Sequence, residues 1–333
     1  SNNITLYHYF HQDTGRKGRE FKTEILDKHG SIYQRQDFEW NATRNGAYFT
    51  TLLLQENTST FAANPANPKI SKMTYGHDIY GNTIFKQSLG DIGITGDERF
   101  EYDDFVYNTS AWIINTVKQH RLFDSDNATK LRETKNTYDG LSFGDIPNRG
   151  DISQQEQMID TGNSAITTYG YDTHGNLINQ TDPNNHLTKY VFGLRDTTFT
   201  FPDQMINAKN HVADYRYDLG TGNVLSKVDP NGLITNYTYD TFGRVTQEIR
   251  PLDTLSYPTK NISYFFDGVA PEMIKIEQRE ANETANTLDA YQYYDGFGNI
   301  IQKKTEAENG KQIVEDIFYE DNSRIKARSN KYL

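Results

Sequence analysis

Apolar and polar residues alternate over short stretches along most of the chain, and turn-forming residues separate these stretches. Clear examples are residues 4–10, 47–52, 112–117 and 233–239. Successive side chains of an extended strand point to opposite faces, so this period of two predicts half-buried β-strands. Residues 1–70 are accordingly predicted to form a β-meander.

The alternation is weakest over residues 140–163, where a short helix is predicted near residues 154–159. No sharp change of composition marks a domain boundary, so one elongated β-unit is expected. We predict three regions within it: a divergent β-meander region over 1–135 with a degenerate repeat near 75–90, an irregular insertion over 136–164, and regular repeats over 165–333.

A box of Tyr, Asp and Gly recurs in the second half of the chain. Its second copy carries one extra residue between Asp and Gly, a degenerate fifth copy covers residues 77–82, and a sixth is expected at 266–268. The predicted structural positions are Tyr171, Asp172, Gly175, Asn176, Tyr217, Asp218, Gly222, Asn223, Tyr239, Asp240, Gly243, Arg244, Tyr294, Asp295, Gly298 and Asn299.

The repeat continues beyond each box. An apolar residue stands two positions after the Gly, and in three copies a Pro stands eight positions after it, twice within Asp-Pro-Asn. The best-matched neighbours, Tyr217 and Tyr239, are 22 residues apart. The residues in this register are Leu177, Val224, Val245 and Ile300, and then Pro183, Pro230 and Pro251.

Each position has a physical reason. Tyr suits the end of a half-buried strand, where its ring can pack on the sheet while its hydroxyl can stay in water. Asp can accept hydrogen bonds from backbone amides two residues on, Gly takes the positive φ of a tight turn, and Pro presets φ in the second turn. One repeat is therefore predicted to be a strand–turn–strand–turn unit that must stack on its neighbours to bury apolar surface.

These boxes, with their Asp-Pro-Asn turns, resemble the Rhs, or YD-repeat, family. The likeness is closest over residues 165–250 and extends over about 71–305, where it also resembles the Rhs region of Tc toxin B components and SpvB-like proteins. The resemblance implies an all-β fold of repetitive antiparallel β-hairpins forming a curved sheet strip, part of a hollow shell or solenoid. It further implies a larger Rhs polypeptide as partner, an enclosed toxic segment, and a secreted or cell-surface location.

The amino-acid composition argues against several classes of function. The net charge of −11 and pI of 5.2 argue against nucleic-acid binding, which depends on clustered Lys and Arg. Without cysteine there is no disulfide, thiolate metal site or cysteine nucleophile. No apolar run is long enough to span a membrane, and the first residues lack the pattern of a signal peptide. The 23 Tyr and 18 Phe instead suit strands.

Motifs that could carry chemistry are better explained as turns. Residues 140–144 match G-x-S-x-G around Ser142, but the residues that follow would break the helix which that motif needs. The Gly-Thr-Gly at 220–222 lacks the third Gly of a dinucleotide loop and is expected to be a bulge in the repeat box. Residues 58–60 and 306–308 match pieces of ADP-ribosyltransferases only by coincidence.

Metal sites are also not expected. Residues 124–127 start like a calcium loop but lack its central Gly and distant Glu. His8 and His11, the only close histidine pair, would point to opposite faces of a strand. We therefore predict no catalytic, cofactor or metal residues.

Two functions remain open. The first is a non-catalytic structural segment of an Rhs/YD-repeat β-shell, encapsulating or scaffolding a toxin or effector in a larger secreted protein. The alternative is a cell-surface adhesin or carbohydrate-binding β-repeat module, in which exposed Tyr residues, Trp40 and Trp112 would stack on glycans.

Overall fold

The computed structural model describes residues 5–27, 29–61, 67–160, 162–269, 271–281, 284–320 and 324–333. Apart from a 3-10 turn at Glu308–Gly310, the regular elements of these ranges are strands. The strands are β1 Thr5–Phe10, β2 Glu20–Leu26, β3 Ile32–Asn45, β4 Tyr48–Thr60, β5 Lys69–His77, β6 Thr83–Asp91, β7 Arg99–Asn108, β8 Ile113–Phe123, β9 Lys130–Tyr138, β10 Ile152–Asp160, β11 Asn163–Tyr171, β12 Leu177–Thr181, β13 Leu187–Val191, β14 Gln204–Ile206, β15 Val212–Tyr217, β16 Val224–Val228, β17 Ile234–Tyr239, β18 Val245–Ile249, β19 Lys260–Phe265, β20 Glu272–Arg279, β21 Thr287–Tyr294, β22 Ile300–Glu306, β23 Gln312–Tyr319 and β24 Ile325–Arg328.

The chain divides into two compact units. The first comprises Ser1–Tyr171 and Gln180–Asn185, and the second comprises Asp172–Asn179 and His186–Leu333. In the first unit, β1 to β11 each pair antiparallel with the next strand in sequence. In the second, β13 to β24 do the same. The predicted all-β class, built from repeated antiparallel hairpins, is confirmed.

The predicted helix near residues 154–159 is wrong. These residues lie within β10, which pairs with β9 on one side and β11 on the other. Gln, Glu and Met favour helices, but so short a segment has little helical stability of its own, and two flanking strands supply partners for its backbone. The three-region division of the chain stays a prediction.

The irregular part of the predicted insertion is confined to residues 139–151, between β9 and β10. The Asp139 carboxylate organises this loop by accepting hydrogen bonds from the backbone N–H groups of Asn148, Arg149, Gly150 and Asp151 at 2.5–3.3 Å. Pro147, within this loop, is fully buried. A single carboxylate thus satisfies four amides that no strand pairs.

Few side chains are deeply buried. Among the described residues, the buried apolar side chains are Val106, Tyr138, Ala213, Ile249 and Ile317. Each strand packs chiefly on its neighbours in sequence, so most side chains on both faces are half-buried. Stability therefore depends on strand pairing, cross-strand side-chain contacts and the turns rather than on a thick core.

We expect Ile249→Ala to be costly because Ile249 is 6% exposed and one of these few buried side chains. The free energy of unfolding should fall by about 2–4 kcal/mol, because the substitution removes buried methyl and methylene groups and leaves a cavity. Urea denaturation followed by circular dichroism measures it. Leu255→Ala is the matched control, because Leu255 in the second unit is 66% exposed. Equal losses in both variants would contradict this account.

Candidate functional site

Four boxes share one turn geometry, which we call the Asp turn. In each, the Asp Oδ1 accepts hydrogen bonds from the backbone N–H groups two and four residues on, at 2.8–3.0 Å. The Gly N–H donates to the Asp carbonyl at 3.0–3.2 Å, and the Gly φ lies between 78° and 89°. This φ favours glycine because it has no Cβ. The four turns are those of Asp78, Asp172, Asp240 and Asp295.

The residue after the Gly completes the Asp turn. Its side-chain nitrogen donates to the Asp Oδ2, from Asn82 at 2.8 Å, Asn176 at 3.1 Å, Asn299 at 3.0 Å and Arg244 at 2.7 Å. Asn and Arg can therefore alternate at this position, because both carry an N–H donor. The sequence alone indicated only that Asn tolerates unusual backbone conformations.

The same side chain also reaches the following hairpin. The Asn176 amide donates to the Phe199 carbonyl at 2.9 Å, and the Asn82 amide donates to the Ile114 carbonyl at 2.6 Å. In the third copy, the Arg244 guanidinium lies 4.2 Å from the centre of the Tyr264 ring. Three of the four Asp turns are thus tied to the following hairpin by a hydrogen bond or a cation–π contact.

Tyrosines at strand ends form a second link. The hydroxyl of Tyr239 donates to the Val224 carbonyl at 2.7 Å, that of Tyr264 to the Val245 carbonyl at 3.0 Å, and that of Tyr319 to the Ile300 carbonyl at 3.0 Å. Each acceptor is the apolar residue two positions after a box Gly in the preceding hairpin. The neighbouring hairpin therefore offers each of these three hydroxyls a backbone carbonyl in place of water.

The other box tyrosines make different contacts. The Tyr217 ring stacks on Phe201 with centroids 4.9 Å apart, and the Tyr294 hydroxyl donates to Gln292 Oε1 at 2.8 Å. Burial raises the pKa of Tyr171, Tyr217, Tyr239 and Tyr294. Neutral phenols are therefore the stable form in every box copy.

The second box shows how the extra residue is accommodated. Asp218 Oδ1 accepts from the N–H groups of Gly220 and Thr221, both at 2.9 Å, and the Gly222 N–H donates to the Asp218 carbonyl at 2.8 Å. The pairing register shifts at Tyr217, as expected for a bulge, but it also shifts at Tyr239 and Tyr294. The bulge therefore belongs to the box and does not need the extra residue.

Sequence reasoning missed several Asp turns and misplaced one. Asp27 and Asn207 accept the same pair of backbone N–H groups through their Oδ1 atoms, at 2.9–3.1 Å. The signal was Asp or Asn followed three residues later by Gly or Asn. At 266–268 the Gly directly follows Asp267, whose Oδ1 accepts from the Val269 N–H at 2.9 Å.

The turns that join one box to the next have this geometry too. Asp229 Oδ1 accepts from the N–H groups of Asn231 and Leu233 at 2.8 and 2.9 Å, and the Gly232 N–H donates to the Asp229 carbonyl at 2.9 Å. Asp182 accepts from the Asn184 N–H at 2.9 Å. The Asp229 turn, which connects two boxes, is therefore closed by the same hydrogen bonds as the turns within the boxes.

The motifs considered for chemistry lie in structural positions. Ser142 is exposed in the 139–151 loop with no helix after it, and its N–H donates to Asp145 Oδ2 at 3.0 Å. Residues 58–60 lie in β4, and Glu306 ends β22. The structure gives Ser142 neither the strained turn nor the following helix of a nucleophile elbow.

The candidate metal ligands are likewise engaged locally. Asp126 accepts hydrogen bonds from the Thr129 hydroxyl and from backbone amides, which lower the pKa of its carboxyl to about 2. Asp124 pairs with Arg99 at 2.8 Å, and His8 lies 2.8 Å from Glu20. Within the described ranges, no group of three His, Cys, Asp or Glu side chains could hold a metal ion.

Two further observations bear on binding surfaces. Trp40 donates its indole N–H to the Glu20 carbonyl at 2.7 Å, whereas Trp112 is 71% exposed and meets Tyr80 edge-on at 6.5 Å. The described residues include no helix that is long and apolar enough to cross a membrane.

Known proteins share both the repeat sequence and the fold of this chain. The family model for the RHS Repeat matches residues 217–254, which contain the second and third boxes. No curated protein matches the chain in sequence. Among solved structures, a crystal structure of TcdB2-TccC3 has a TM-score of 0.69 and 11% identity, over 94% of this chain and 24% of that chain. One of TcdB2-TccC3-Cdc42 has a TM-score of 0.69 and 10% identity, over 95% and 25%.

The fold and its turns define an antiparallel β-hairpin repeat protein. More particularly, residues 217–254 match the Rhs repeat, and the resemblance to the Rhs/YD-repeat family is confirmed. The likeness to the TcdB2-TccC3 structures extends over nearly the whole chain and shows a shared fold. The chain spans about a quarter of the length of the chains it matches.

We expect Tyr239→Phe to lower the free energy of unfolding by about 0.5–1.5 kcal/mol, because the Val224 carbonyl loses its hydroxyl donor while the ring remains. Urea denaturation of the purified chain measures the loss. Tyr237→Phe is the matched control: it changes the same strand, and no described residue hydrogen-bonds the Tyr237 hydroxyl. A loss in the control as large as that in Tyr239→Phe would contradict the proposed link.

The backbone hydrogen bond from Leu233 holds the pKa of Asp229 below its usual value. A carboxyl with a lowered folded pKa contributes stability that is present above its unfolded pKa of about 3.9 and lost as pH falls through the folded pKa. Asp229→Asn should retain the turn, since Asn207 forms the same turn naturally. Its urea midpoint should therefore rise relative to wild type between about pH 6 and pH 2. A constant difference across that range would argue against the assignment.

Proposed function

We propose that the chain is a non-catalytic structural segment of an Rhs-type β-shell, which encapsulates or scaffolds a toxin or effector in a larger secreted protein. The observation that carries the proposal is the repeated Asp turn, which closes successive hairpins and connects them into an extended sheet. The fold shared with TcdB2-TccC3 over most of the chain supports it.

The state of the carboxylates supports a structural role. Hydrogen bonds within the turns lower the pKa of Asp218, Asp229 and Asp295, and each of these carboxylates already accepts two backbone N–H groups. A catalytic acid or base instead needs a pKa near the working pH and a free path to substrate. These residues stabilise turns and are poorly suited to proton transfer.

Charged side chains on the sheet also form ion pairs with one another. Lys275 Nζ lies 2.8 Å from Glu277 and 2.9 Å from Asp289, and these hydrogen bonds raise the Lys275 pKa. A wall that encloses another polypeptide must not bind it tightly. A polar surface whose charges are already paired offers little net attraction to such a passenger.

The proposed partners are the remainder of a larger Rhs polypeptide and an enclosed toxic segment, and the proposed location is secreted or at the cell surface. The matched chains are about four times as long as the region that this chain covers, which supports a larger assembly. An adhesin remains the alternative, but Trp40 is held by a backbone carbonyl, which leaves Trp112 as the exposed indole.

Limited proteolysis of the full polypeptide that contains this segment tests encapsulation. The enclosed segment should resist trypsin, and Asp240→Ala with Asp295→Ala should speed its cleavage because two turns of the wall lose their acceptors. Thr241→Ala with Gly296→Ala changes the same two turns without removing an acceptor and should leave the rate unchanged. Rapid cleavage in wild type, or equal rates in all three proteins, would refute the proposal.

A further inference from the structure

A cavity of about 270 Å³ lies in the second unit, between the sheet and the loop that joins β18 to β19. The loop forms one side of the cavity through Ser256, Tyr257 and Pro258, and Gln247, Asn261 and Glu277 line it from three adjacent strands. This site is separate from the Asp turns and independent of the proposed shell function.

Buried charge holds the loop in place. The Arg279 side chain is 5% exposed and donates to the Pro258 carbonyl at 3.0 and 3.1 Å and to the Thr284 carbonyl at 2.8 Å. Asp253, whose side chain is 3% exposed, lies 3.5 Å from Arg279 and accepts from the Thr259 hydroxyl at 2.5 Å. Burying these charges costs desolvation free energy, which is recovered only while the hydrogen bonds and the ion pair are made. The network therefore favours one conformation of the loop.

The sheet supplies a row of hydrogen-bonding side chains. Register places Gln247 opposite Asn261 and Asn261 opposite Glu277, so the three lie on one face of neighbouring strands. The Asn261 amide donates to Glu277 at 2.7 Å. The Gln247 amide donates to the Leu255 carbonyl of the loop at 3.5 Å, so these contacts fix the row, and its two amides and carboxylate keep further donor and acceptor capacity.

An aromatic ring completes the lining. Tyr257 is 50% exposed, and its ring centre lies 5.1 Å from the Arg279 guanidinium. The cation–π contact orients the ring, while the exposed part remains available to a ligand. Amide and carboxylate groups beside an oriented aromatic ring suit a ligand with hydroxyl groups and a weakly polar ring face.

Charge and size limit the ligand further. Arg279 lies 3.5 Å from Asp253, and Glu277 pairs with Lys275 at 2.8 Å, so both charged residues that line the cavity already have a neighbour of opposite charge. The cavity is smaller than the ~300–1,000 Å³ typical of sites for drug-sized ligands. We propose that this cavity binds one uncharged pyranose ring of a glycan.

Saturation-transfer NMR and titration calorimetry with D-glucose, D-galactose, D-mannose and N-acetylglucosamine test the proposal. At least one of these sugars should bind the wild-type chain, and both Asn261→Leu and Tyr257→Ala should weaken its binding at least tenfold. Tyr257→Phe should retain most of the affinity because the ring remains. Gln247→Leu provides a second test on the sheet if the loop variant loses its fold.

Trp112→Ala is the matched control, because it removes an exposed aromatic ring from the other unit. It should bind sugar as wild type does. Absence of binding to all four sugars would overturn the proposal, and so would binding that is lost in Trp112→Ala but kept in the cavity variants. These experiments measure sugar binding, whereas limited proteolysis measures encapsulation. A negative result with the sugars would therefore leave the proposed shell function untouched.

Discussion

The structure depends on one repeated interaction, a carboxylate or amide oxygen that accepts two backbone N–H groups at the end of a hairpin. A sheet with few buried side chains cannot rely on a core to set its strand register. The Asp turn does so locally, because its length and the positive φ of its Gly determine which residues face each other in the two strands.

Links between hairpins extend this local order. The Asn or Arg that completes one turn also contacts the next hairpin, and Tyr239, Tyr264 and Tyr319 donate to carbonyls of the preceding one. Several hairpins are thus linked to a neighbouring hairpin, mostly through hydrogen bonds to backbone carbonyls. Such a system tolerates wide variation at other positions, which is consistent with a shared fold at about 10% identity.

Departures from the repeat occur where the chain makes longer connections. The loop after Tyr138 is organised by Asp139, and the loop after Ile249 is held by the buried pair of Arg279 and Asp253. In both cases a buried or shared charge replaces the backbone partners that a strand would provide. The second loop forms one side of a cavity. A longer connection between two strands thus creates a candidate binding site within a structural repeat.

The sequence by itself determined most of the strands and the turns and spacing of the Tyr-Asp-Gly boxes, because alternation and turn chemistry act between residues close in the chain. It did not reveal that 154–159 is a strand, since that depends on pairing with β9 and β11. Nor did it reveal the tyrosine hydrogen bonds or the cavity beside Arg279. These join residues about 15 to 21 positions apart, and only the tertiary structure decides which strands and loops meet.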